Sequence, residues 1–71
     1  MSDGLATFTD AEEGHAGEPI DIVLAAIVSF RGAKHGTDII LGNGTFIPVR
    51  ENQAMVRKIW RAWKRNGKAR P

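Results

Sequence analysis

A chain of 71 residues holds one domain with a modest core, near the size at which oligomers, metals or disulfides supplement folding. It has no cysteine, which excludes disulfides, thiolate zinc sites and cysteine nucleophiles. The net charge of +2 conceals an asymmetry: residues 1–30 carry Asp3, Asp10, Glu12, Glu13, Glu18 and Asp21 with no Lys or Arg, whereas from residue 31 onward ten basic residues face only Asp38 and Glu51.

In chain order, Leu5-Ala6-Thr7-Phe8-Thr9 alternates apolar and β-favouring polar residues, which predicts a short strand with Leu5 and Phe8, or Ala6, turned inward. Asp10 to Glu18 is acidic, contains Gly14 and Gly17, and reads as a long hairpin loop. Pro19 then opens an extended segment.

Ile20 to Phe30 suits a buried helix or strands by periodicity alone. The β-branched residues at 20, 22, 23, 27 and 28, with Pro before and Gly32 and Gly36 after, favour two short strands bent near Leu24 to Ala26. This is also the longest apolar stretch. It is broken by Asp21 and too short to span a bilayer, and Met1-Ser2-Asp3-Gly4 lacks the basic start of a secretory signal. The expectation is a soluble cytoplasmic protein that does not engage membranes.

Gly32 to Gly36 reads as the loop into a second hairpin, residues 38–50, whose Asn43-Gly44 suits a two-residue turn with both central residues at positive φ. Such a turn sets Leu41 opposite Phe46, Ile40 opposite Ile47 and Ile39 opposite Pro48. Ile39, Leu41, Phe46 and Pro48 then share one face, and Ile40, Ile47 and Val49 the other. Both faces are apolar, so Ile40, Ile47 and Val49 become a candidate interface for a protein partner or a second copy of the chain. Pro48 would turn its missing N–H away from the partner strand, so that the strand's outer side is either an edge or incompletely paired.

Asn52 is a good N-cap for a helix over 52–66, in which Val56, Ile59, Trp60 and Trp63, with Met55 and Ala62 beside them, make an apolar stripe. Asn66-Gly67 supplies a stop, and residues 67–71 form a basic tail. The whole predicts an α+β, mostly β domain over 1–66: a small antiparallel sheet of four to five short strands closed by one C-terminal amphipathic helix. Arg57, Lys58, Arg61, Lys64, Arg65, Lys68 and Arg70, with the more exposed Trp63, are candidate contacts to a partner or to nucleic acid. The acidic first third would compete for these cations within the molecule.

The order Gly17-Glu18-Pro19-Ile20, Ile27-Val28-Ser29-Phe30, and Ile39 through Gly42-Asn43-Gly44 to Ile47-Pro48-Val49-Arg50-Glu51 before a helix resembles small flagellar proteins of the FlbD/SwrD type. It is also similar to the second half of a LytTR DNA-binding domain. The resemblance covers roughly residues 17–60. The first implies a regulatory, non-enzymatic role in motility; the second implies promoter DNA.

Catalytic and cofactor chemistry finds little footing. His15 and His35 lie in glycine-bearing loops without neighbours at zinc-motif spacing, and Ser29 lies in no nucleophile elbow. Gly42-Asn43-Gly44 joins two strands, whereas a phosphate loop joins a strand to a helix. Glu12-Glu13 with Asp10 suits a solvated loop, and the tryptophans share the core stripe of the helix. No cofactor, metal or catalytic residue is expected. The expected function is a small non-enzymatic regulatory module that docks to a protein partner through its hairpin and basic helix, the alternative being a DNA- or RNA-binding regulator that uses helix and tail.

Overall fold

The computed structural model describes residues 4–69, with side chains as far as Arg65. Five short antiparallel strands form two sheets and are followed by one C-terminal helix: β1 (Leu5–Thr9), β2 (Pro19–Val23), β3 (Ile27–Ala33), β4 (Gly36–Leu41), β5 (Phe46–Val49) and α1 (Gln53–Ala69). This is the α+β architecture expected from the sequence. The apolar stretch 20–30 resolves into β2 and β3 around a 3₁₀ turn at Leu24–Ala26, as its β-branched content favours.

In the first sheet Phe8 pairs with Ile20 and Ala6 with Ile22 on the inner face, leaving Leu5 and Val23 outside. The second sheet has the order β3-β4-β5. The two join where the end of β1 passes β5. Asp10 bridges Val49, Arg50 N donates to Thr9 O at 2.8 Å, and Ala11 N donates to Pro48 O at 3.0 Å. The edge expected at Pro48 is therefore paired at this end of the strand.

The second hairpin departs from the expected register. Gly44 N donates to Leu41 O at 3.0 Å and Leu41 N to Thr45 O at 2.8 Å, closing a loop over residues 42–44 rather than a two-residue turn. Gly44 has φ 90°, while Asn43 stays at negative φ and its side chain accepts from Thr45 N at 2.9 Å. One left-handed residue replaces two, and the register slips by one. Ile40 now faces Phe46, Ile39 faces Ile47 and Thr37 faces Val49. Because strand faces alternate, this slip turns β5 over. Ile47 and Val49 join Ile39 inside, and Ile40, Phe46 and Pro48 share the outer face.

A second correction concerns residues 32–36. β3 runs to Ala33 and β4 begins at Gly36, so the connection is only Lys34-His35. Gly36 has φ 140°, and a Cβ there would strike the carbonyl oxygens of Val49 and Arg50.

Phe8, Ile22, Leu24, Ile27, Ile39, Val49 and Val56 form the buried core, with Phe30, Trp60 and Trp63 among the residues packed against it. Thr37, fully buried, donates its hydroxyl to Glu51 O at 2.8 Å. Glu51 in turn holds Thr9, accepting from its amide at 2.9 and 3.1 Å and from its hydroxyl at 3.0 Å. These bonds fix where the helix leaves the sheet.

A cationic stripe on the closing helix

Asn52 caps α1 as expected, its Oδ1 accepting from Met55 N at 2.8 Å. The helix continues through Asn66-Gly67 to Ala69, past the expected stop. A glycine inside a helix costs about 1 kcal/mol relative to alanine, so it does not end one whose neighbours are strong formers. The cations Lys64 and Arg65 also favour the negative C-terminal end of the helix dipole.

One face of α1 is committed to packing. Val56 is fully buried, and Phe30 meets the Trp60 ring edge-to-face with centroids 6.4 Å apart. A Cβ on Gly4 would run into the Trp63 indole, so the glycine leaves room for that ring. Lys64 Nζ lies 5.3 Å from the Trp60 centroid, a cation–π contact that covers the indole from the solvent side. Trp63, expected to be the more available tryptophan, is half-buried against the body of the domain.

At 3.6 residues per turn the opposite face presents Ala54, Arg57, Lys58, Arg61, Ala62 and Arg65. These six side chains line a shallow groove of about 420 Å³. Arg57 is half-buried, and Lys58, Arg61 and Arg65 are exposed. From Arg57 to Arg65 the stripe runs about 12 Å at 1.5 Å per residue. The Lys68 side chain and Arg70 lie outside the described residues.

Among the described residues no carboxylate lies within ion-pair distance of these cations. Among the described residues the histidine–carboxylate contacts are His15 with Glu18 at 3.5 Å and His35 with Asp38 at 2.6 Å, each between residues three apart in sequence. None of the helix cations pairs with a carboxylate among those residues. Connectivity explains this: β1 runs from Gly4, beside Trp63, to Thr9, beside Glu51, so the acidic loop that follows lies toward the N-terminal end of α1. The loop also closes on itself, with Glu12 N donating to Asp10 Oδ1 at 2.8 Å and Glu18 N to His15 O at 3.0 Å. The expected competition for the helix cations finds no contact there.

The candidate apolar interface is dispersed. Val49 is fully buried and Ile47 packs against the core, so neither lines the surface; the register slip is the reason. Ile40 alone remains outside, near the exposed Phe46, where Arg31 and Asp38 complete a depression of about 220 Å³. Ser29 lies opposite Ile40 on β3. No group of three or more His, Asp or Glu side chains is arranged to hold a metal among the described residues, and none of their helices is long and apolar enough to cross a membrane.

The tie made by Glu51 was not expected from the sequence, where the residue stands at the end of the last strand as one of two acids in a basic half. Its place just before the Asn52 cap was a usable signal, since that is where a carboxylate can reach strands beside a helix start. Together these elements define a small β domain with a cationic helix face. No protein-family model matches the chain, nor does any curated protein or solved structure.

Proposed function

We propose that this chain is a non-enzymatic regulatory module that binds nucleic acid through the outward stripe of α1. One observation carries the reading: Arg57, Lys58, Arg61 and Arg65 share a single outward face, and no carboxylate among the described residues neutralises them. Cations so arranged gain by releasing the counterions condensed on a phosphate backbone. A salt titration of labelled nucleic acid, followed by anisotropy, tests it. With four phosphates neutralised, the logarithm of the binding constant falls against the logarithm of salt with a slope of about −3 to −4. The double variant Arg61→Glu with Arg65→Glu abolishes binding while circular dichroism stays unchanged. Absence of binding at low ionic strength rejects the proposal.

A protein partner is the second reading, favoured by Phe46, which is 61% exposed beside Ile40 and Pro48 on the outer sheet face. It requires nuclease-resistant capture of one partner, or a homodimer in solution, that is lost in a folded Phe46→Ser variant. Retention by that variant rejects it.

A further inference from the structure

Resting on the nucleic-acid reading, we infer that the ligand of the α1 stripe is double-stranded DNA, entered through its major groove. The first ground is the placement of the aromatic rings. Proteins that hold single strands stack bases on aromatic side chains, which contributes about 1–3 kcal/mol per base. The chain has three phenylalanines, two tryptophans and no tyrosine, and none of the rings lies on the stripe. Phe8 is buried in the core. Phe30 and Trp60 pack on each other, with Lys64 over the indole. Trp63 sits at Gly4. Phe46 points from the outer face of its sheet, the side opposite the one on which Phe30 meets the helix.

The second ground is shape. Between its cations the stripe offers only the methyl groups of Ala54 and Ala62. Small residues there let a helix about 10–12 Å across approach the floor of a B-form major groove about 12 Å wide, with cations reaching the backbone on either side. Methyl groups also suit contact with thymine methyls. The major groove of duplex RNA is too deep and narrow to be read this way. Finally, the helix backbone runs on from Trp63 to Ala69, about a turn and a half, which gives the stripe a straight axis to lie along a groove.

The test compares a short DNA duplex, either of its strands alone, and an RNA duplex of the same sequence, by anisotropy at one low salt concentration with the full chain. The DNA duplex is bound at least about tenfold more tightly than the other two. Ala54→Leu and Ala62→Leu, made separately, fill the floor without changing charge. Each lowers duplex affinity about tenfold while the salt slope stays put, because the phosphate contacts remain. Equal or tighter binding of the single strand or the RNA overturns the inference, as does normal duplex binding by both folded leucine variants. Either result leaves the nucleic-acid reading standing, whereas no binding to any of the three removes both. The three-ligand comparison uses the unaltered chain and decides the matter even where a leucine variant fails to fold.

Discussion

The Glu51 carboxylate accepts both the amide and the hydroxyl of Thr9, across 42 positions of sequence. Thr9 pairs with Pro19 on β2, and its own carbonyl is taken by Arg50 N, so Glu51 satisfies the Thr9 amide on the side of β1 that faces the end of β5. With Thr37 bonded to the Glu51 carbonyl, one residue ties both sheets to the start of α1. Glu51→Ala leaves a part-buried amide without its acceptor and costs about 1–3 kcal/mol. Glu51→Gln, which keeps an acceptor oxygen, costs less. Urea unfolding reads both as a lower midpoint at constant m-value, and an unshifted midpoint for the alanine variant contradicts the tie.

Gly36 and Gly14 separate two costs that positive φ usually combines. Both have left-handed backbones, φ 140° and 93°, but a Cβ on Gly36 meets two backbone carbonyls while one on Gly14 meets nothing. Gly14→Ala carries conformational strain alone, about 1 kcal/mol. Gly36→Ala adds an overlap with rigid backbone and exceeds that cost by at least about 1–3 kcal/mol, the scale of an overpacked core. Thermal unfolding of the two variants side by side reads the difference, and equal losses refute the close approach.

Much of the fold was legible because local and global preferences agreed. The β-branched residues from Ile20 to Val28 outweighed an ambiguous period, and Asn52 before the Val56-Ile59-Trp60-Trp63 stripe marked a helix that is present. The hairpin register was not legible, because Asn43-Gly44 is compatible with a turn needing two positive φ angles and with one needing a single such angle. The choice falls to Asn43 Oδ1 and the amide of Thr45, a contact that composition does not specify. That slip alone moved Ile47 and Val49 from a supposed surface into the core. The cations of α1 were legible as a cluster, but that no carboxylate among the described residues pairs with them depends on where the acidic loop lies, and that is a matter of topology.

Val49 and Phe46, three residues apart on β5, test the register energetically. Val49 is fully buried and Phe46 exposed, whereas the two-residue turn would have placed Phe46 on the face of Ile39. Val49→Ala removes buried methyl groups and costs about 2 kcal/mol, at the lower end for large-to-small core changes. Phe46→Ser, at the surface, stays within about 0.5 kcal/mol of the parent. Chemical denaturation that finds the reverse order would restore the other register.

Asn43 and Gly44 give the sharpest local test, because only one of them needs a left-handed backbone. Gly44 has φ 90° and a Cβ there would meet nothing within 4 Å, so Gly44→Ala suffers conformational strain of about 1–2 kcal/mol and no clash. Asn43 has negative φ and contributes only the exposed bond from its Oδ1 to Thr45 N. Asn43→Ala therefore loses about 0.5–1 kcal/mol, the ordinary net contribution of such a bond. Asn43→Gly weakens the turn as well, because glycine adds freedom to the unfolded chain and gains nothing at a residue whose φ is already negative. In a two-residue turn with both φ angles positive, the same change would stabilise by relieving strain at position 43. The sign of the Asn43→Gly shift in unfolding midpoint thus distinguishes the two turns, and a rise would overturn the loop over residues 42–44 and the inward placement of Ile47 and Val49 that follows from it.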